Sequence, residues 1–145
     1  MIAKNDKIIA HHLRELIVKL YKRIHREISN KEQMSVADQN VMYQLTQKGK
    51  LLPSELCTML NMSSQYISQV VNHLVELEFI SRNPSPTDKR KSFIKLTEKG
   101  KQRVLQSRKE REEWLANLIA NQYSAEDKAT IQKAVALLAV LTGRE

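Results

Sequence analysis

The stretch Asp88-Lys89-Arg90-Lys91-Ser92-Phe93-Ile94-Lys95-Leu96-Thr97-Glu98-Lys99-Gly100 constrains the fold of this chain more than any other. It begins as a charged loop. It continues as a short extended segment in which Ile94 and Leu96 share one face and Phe93 and Lys95 the other, the period-two pattern of a strand with one buried side. Thr97 then offers a hydroxyl that can accept a backbone N–H two or three residues on, which starts a helix. The sequence therefore predicts a cationic loop on a two-stranded ribbon, followed at once by a helix. The charge of the chain is concentrated around it. Residues 82–111 hold eleven Lys or Arg (Arg82, Lys89, Arg90, Lys91, Lys95, Lys99, Lys101, Arg103, Arg108, Lys109 and Arg111) against three acids. That surplus equals the whole net charge of +8; the remainder balances, thirteen bases against thirteen acids.

Upstream of the ribbon the periodicity is helical. Residues 8–29 carry a wide apolar stripe through Ile9, Leu13, Leu16, Ile17, Leu20, Tyr21, Ile24 and Ile28. Ser35 precedes Val36, Met42 and Leu45 as an N-cap, and Gly49 supplies a helix stop. Pro53 opens a short third helix with Leu56, Cys57 and Leu60 inward, since proline is welcome in a first turn. Asn61-Met62 makes a turn, and Ser63 caps a fourth helix running to about Phe79. Its apolar face is Ile67, Val70, Val71, Leu74 and Leu77. Its outward positions are Ser64, Gln65, Ser68, Gln69 and Asn72, which are small or amide-bearing.

A short helix, a tight turn and a longer helix of that composition form a helix-turn-helix. Gln and Asn can bond adenine bidentately. A cationic ribbon directly after such a unit is a wing, which presents Lys or Arg to DNA phosphates or a minor groove. Ser64, Gln65, Ser68 and Gln69 are thus the expected major-groove readers, with Tyr66 and Asn72 supporting them or touching backbone. Arg90 is expected at the minor groove, with Lys89 and Lys91 on phosphates. Asp88 either pairs with Arg90 or caps the wing turn. Ser54 and Ser63, at helix starts, can bond phosphates. The charged strip alone would also fit an ordinary solvated helix face; the neighbouring helices decide for the wing.

Beyond the ribbon, Ile80-Ser81-Arg82 reads as the first wing strand, and Pro84 and Pro86 stiffen the start of its loop. A long helix is expected over 98–121. Its middle, Gln106 to Glu113, holds no apolar residue and is expected to be solvated; Trp114, Leu115, Leu118 and Ile119 restore an apolar face. Ser124 caps a last helix striped by Ile131, Val135, Leu138 and Leu141. The first and last helices are apolar, yet one DNA lobe cannot cover both, so an interface between subunits is expected. The fold class is mostly α with a small β-wing: a winged helix-turn-helix plus N- and C-terminal dimerisation helices. We read residues 1–145 as one domain, with 35–100 as the DNA-binding lobe and 1–34 and 101–145 as dimerisation helices.

This arrangement resembles the MarR family of transcriptional regulators, over nearly the whole chain. The resemblance rests on Asp88-x-Arg90-x-x-x-Ile94-x-Leu96-Thr97-x-x-Gly100, preceded by Leu60-x-Met62-Ser63 and Ile67-Ser68-x-Val70-Val71-x-x-Leu74. It implies a homodimer of winged lobes on pseudo-palindromic double-stranded DNA, acting as a repressor. It also implies release by a small aromatic or phenolic effector lodged between the dimerisation and DNA-binding parts. Arg14, Tyr21, Arg23, Met42 and Tyr43 are the expected lining of that site, two cations and three residues suited to a mostly apolar ligand. The chain departs from the family in having Glu78 where glycine is frequent, Gln69 where Arg or Lys is frequent, and no cysteine in the first helix.

Other classes fit less well. His11, His12, His25 and His73 have no metal-ligand spacing, and no metal or cofactor is expected. The single Cys57 permits no intrachain disulfide; it leaves open a redox-responsive regulator, and the absence of an apolar leader points to a cytoplasmic protein with no membrane partner. No phosphate loop, carboxylate dyad or nucleophile triad suggests an enzyme. A helical adaptor that binds protein but not DNA is the remaining alternative, separable by a duplex gel shift.

Overall fold

The computed structural model describes residues 1–26 and 33–143. Its helices are α1 (Lys4–Arg26), α2 (Val36–Lys48), α3 (Pro53–Leu60), α4 (Ser64–Glu76), α5 (Glu98–Gln122) and α6 (Ala125–Ala139). Its strands are β1 (Lys50–Leu51), β2 (Ile80–Pro84) and β3 (Ser92–Leu96), and a 3-10 turn, Val140–Thr142, follows α6. The fold is mostly helical with a small wing, as expected.

Four hydroxyl caps set the helix starts. Ser35 Oγ accepts from Asp38 N at 3.1 Å, and Ser63 Oγ from Tyr66 N at 3.1 Å. Thr97 Oγ1 accepts from Gly100 N at 3.0 Å, and Ser124 Oγ from Asp127 N at 3.1 Å. Each satisfies a backbone donor that the helix itself cannot, for about 1 kcal/mol apiece. Asp38 and Asp127 return the bond to the cap residue's N–H, completing capping boxes. The Asp127 carboxyl is held below its ordinary pKa by the Ser124 hydroxyl and then the Ser124 N–H.

α4 stops at Glu76, earlier than the position near Phe79 that its apolar run suggests. Glu78 adopts the left-handed conformation with φ +62, which reverses the chain. Phe79 N donates to Leu74 O and Glu78 N to Val75 O, both at 2.9 Å, so a two-bond helix stop forms with glutamate where glycine is usual. α1 begins at Lys4, ahead of the expected residue 8. Its expected continuation through Ile28 to 29 lies outside the described residues.

The sheet is antiparallel in the order β1-β3-β2. Ile80 pairs with Leu96 and Pro84 with Ser92, so the first wing strand runs through Pro84, two residues past Arg82. β1 was not foreseen: Lys50 pairs with Lys95 and Leu51 with Ile94, making a third strand of the expected ribbon. Lys50 lies 4.6 Å from the Phe93 ring centre, which offsets its like-charged cross-strand neighbour.

The core sits under the sheet and between α2, α3 and α4. Val41, Leu45, Leu56, Ile67, Val71, Leu74, Phe79 and Ile94 are fully buried there. Each such side chain contributes roughly 1.5–3 kcal/mol by leaving water. α1 and α6 bury no residue fully. Among the described residues no helix is long and apolar enough to cross a membrane.

Candidate nucleic-acid interface and the adjoining cleft

α3, the turn and α4 present one surface. Asn61 closes α3 in the left-handed conformation at φ 50, and Asn61 can do so because its short polar side chain tolerates it. Pro53 sits in the first turn of α3, where Leu52 N–H is taken by Glu55 Oε2 at 2.6 Å. α4 buries Ile67, Val70, Val71 and Leu74. Ser64, Gln65, Tyr66, Ser68, Gln69 and Asn72 are all exposed on its other side, as are Ser54 and Ser63. Ser63 spends its lone pair on the cap, and its hydroxyl proton stays available to an oxygen acceptor.

The wing turn between β2 and β3 is ordered by its own polar groups. Ser85 is buried, and its N–H donates to Lys91 O at 2.8 Å. Lys91 N donates to Asp88 O at 3.0 Å, and Arg90 N to Asp88 Oδ1 at 3.0 Å. Of the two roles expected for Asp88, the geometry has the turn cap. Lys89, Arg90 and Lys91 are exposed, and among the described residues no ion pair holds them. The cations of α5 differ. Lys99 pairs with Glu78, Lys101 with Glu98, Arg108 with Glu112 and Lys109 with Glu113. The field that would meet phosphate is therefore strongest at the wing, where positive charge is uncompensated.

Two contacts were not legible in the sequence. Asn72 Oδ1 accepts a bond from Arg82 Nη2, which ties α4 to β2. His73 Nδ1 lies 3.2 Å from Asp38 Oδ2, tying α4 to α2. Of the other histidines, His11 neighbours Glu15 and His25 bonds the Tyr21 carbonyl. Cys57 is half-buried against the core.

A cleft of about 470 Å³ opens between α1, α2 and α5. Tyr21, Met42 and Tyr43 line it as expected, and the apolar wall continues through Met34, Leu60 and Val104. Met42 is core at 1% exposure, whereas Tyr21 and Tyr43 are 48% and 57% exposed. The expected cations are corrected. Arg14 and Arg23 do not line the cleft; Arg23 stacks over Trp114, 5.5 Å from the ring centre. Arg103 and Arg111 supply the cations instead, with Ser107 between them. These three recur every fourth residue on one face of α5, a spacing that could have revealed them.

The middle of α5 is accordingly not a fully solvated run. Ser107 is buried, and Arg103 meets Glu110 at 3.7 Å with both side chains mostly covered. Polar residues there face the cleft rather than bulk water. Gln39 Oε1, on the same wall, and Arg103 Nε are buried without a hydrogen-bond partner.

Residues 33–91 match the MarR family model. A transcriptional regulator of Pseudomonas aeruginosa has the same fold, with a TM-score of 0.81, 24% identity and 99% of both chains covered. A MarR variant of Escherichia coli, complexed with operator DNA, superposes with a TM-score of 0.58 at 21% identity, over 94% of this chain and 99% of that one. An HTH-type transcriptional regulator of Mycobacterium bovis is 26% identical over 87 residues, 60% of this chain and 61% of the relative. The aligned segment thus spans about three-fifths of that relative's length.

Proposed function

Taking as premise that the chain carries a MarR-family winged-helix domain, we propose that it is a sequence-specific, double-stranded DNA-binding transcriptional regulator working as a dimeric repressor. The observation that carries this reading is the pairing of an exposed, amide-rich α4 with an ordered wing bearing three uncompensated cations. In this reading Gln65, Gln69, Ser64 and Ser68 read base edges. Arg90 reaches the minor groove, Lys89 and Lys91 meet phosphates, and Ser54, Ser63 and Tyr66 fix register on the backbone.

The dimer is supported by apolar surface that the single chain leaves in water. Ile9, Leu16 and Ile17 on α1 and Val135, Leu137 and Leu138 on α6 are exposed, as are Val140 and Leu141. So large an apolar surface from the two chain ends needs a cover, and a second copy supplies one by two-fold symmetry. Two lobes would then meet half-sites about 34–36 Å apart, on a pseudo-palindrome. The cleft suits a small aromatic acid: apolar walls, two arginines, and buried polar atoms lacking partners. Such an effector releases DNA only by favouring a lobe arrangement that mismatches the operator.

The test is a salt titration on a duplex selected from a random pool. Three wing cations per protomer give about six neutralised phosphates per dimer, hence a log–log slope of about −5. Arg90→Ala should flatten the slope by about one and weaken all sequences alike. Gln65→Ala or Gln69→Ala should alter base preference, costing about 1–3 kcal/mol at a contacted pair. A protein adaptor would leave the duplex unshifted at every salt concentration.

A further inference from the structure

Asn72 and His73 are consecutive on α4, and each bonds a different element. His73 Nδ1 is 3.2 Å from Asp38 Oδ2 on α2. Asn72 Oδ1 accepts from Arg82 Nη2 on β2. Asp38 is 2% exposed, and the same Oδ2 also accepts from Ser35 N at 2.6 Å and Ser35 Oγ at 2.9 Å. A carboxylate only accepts, so Nδ1 is the nitrogen of His73 that carries the proton.

The rest of α4's attachment is apolar, through Ile67, Val70, Val71 and Leu74. Apolar contact is non-directional and tolerates a helix that slides or rotates. Two directional bonds at neighbouring positions, about 100° apart around the axis, do not. The exposed readers stand in line with them. Gln65, Gln69 and His73 form one row at four-residue spacing, and Ser68 and Asn72 form the next. A rotation of about 20° at a helix radius of roughly 5–6 Å moves a side-chain tip by about 2 Å. That is enough to break a bidentate bond to a base.

We infer that Asp38–His73 and Asn72–Arg82 form a two-point clamp that fixes the rotation of α4 and so sets base selectivity. The four are positioning residues, acting through Gln65, Ser68 and Gln69 rather than on DNA. The inference rests on the proposed reading of α4 as the base-reading helix, and it reassigns Asn72 from backbone contact to clamp.

The experiment compares full-length wild type, His73→Leu, His73→Asn and Arg82→Met on two duplexes of equal length: the best sequence from a random-pool selection and its scramble. The readout is the ratio of the two affinities, measured across salt. His73→Leu and Arg82→Met should each lower the ratio about tenfold, the size of one lost base contact, through the selected duplex alone. Scramble affinity and salt slope should stay within about twofold, because phosphate contacts are intact. His73→Asn, which keeps a donor at similar reach, should recover most of the ratio. Arg82 is exposed, so Arg82→Met decides the matter if His73→Leu does not fold. An unchanged ratio in a folded variant overturns the clamp alone. Equal losses on both duplexes with a slope flatter by about one for Arg82→Met also overturn it, making Arg82 a phosphate contact. A wild type that prefers no sequence overturns the reading of α4, and the clamp with it.

Discussion

Gly100→Ala should destabilise the protein by about 3 kcal/mol, through one backbone clash. A Cβ built on Gly100 lies 2.0 Å from the Phe79 carbonyl oxygen, 2.9 Å from its carbon and 3.2 Å from Leu96 Cδ2. The first contact is with backbone, so no rotamer relieves it; the carbonyl must retreat by more than about 1 Å to reach ordinary van der Waals distance. That oxygen accepts Thr97 N–H at 3.0 Å. Overpacking of this kind costs about 1–3 kcal/mol. Weakening a bond to a buried carbonyl adds about 1–3 kcal/mol. Replacing glycine by alanine inside a helix returns about 1 kcal/mol. The net loss corresponds to a Tm lower by roughly 10 °C for a chain of this size. Urea or thermal unfolding measures it. Gly49→Ala is the control: its Cβ would meet nothing within 4 Å, and its cost comes only from φ +81, about 1–2 kcal/mol. A Gly100→Ala protein as stable as wild type would refute the reasoning, because helix propensity would then have outweighed the clash. Phe79 also ends α4 and leads into β2, so the folded Gly100→Ala protein should bind DNA more weakly well below its Tm.

Glu78→Gly should raise stability by about 0.5–1 kcal/mol, since relief of the left-handed backbone outweighs the exposed Lys99 pair; a lower urea midpoint would count against the strain argument. Leu138→Glu places a charge on the exposed apolar face of α6 and should convert the dimer to monomer or aggregate, which sedimentation velocity reads directly. A wild type that sediments as a monomer at micromolar concentration would refute the interface. Salicylate should raise the Tm of the free protein and weaken its hold on the selected duplex, and Ser107→Leu, which fills the cleft floor, should abolish both responses while sparing DNA binding.

The features legible in the sequence are those whose partners lie within one turn or one strand. Ser35, Ser63, Thr97 and Ser124 cap as expected because the cap chemistry is completed three residues away. The face of β3 was legible because Ile94 and Leu96 alternate with Phe93 and Lys95, and both of the first pair are buried. β1 was not, because the two residues Lys50-Leu51 are too few to show a period. Glu78 was legible as a departure, and its consequence, a left-handed residue at φ +62, follows from the chain having to turn there regardless. The Asp38–His73 pair joins residues 35 apart, and nothing local marks either as a partner.

The cleft shows where sequence reasoning needs geometry. Its place, between α1, α2 and α5, followed from the order of elements, and Tyr21, Met42 and Tyr43 followed from residue type. Its cations did not, because polarity along a helix does not say which polar side faces water. Gln106 to Glu113 looks like a solvated strip, yet Ser107 is buried and Arg111 half-buried. The rotation of α1 decides the rest. With Arg23 stacked over Trp114, α1 turns that arginine towards the apolar end of α5 and leaves Tyr21 over the cleft. Arg103 and Arg111 then face Tyr21 and Tyr43 across it. An anionic effector would thus be held by α5, the helix that starts at the wing, and its pull would be felt where Thr97 and Gly100 meet the end of α4.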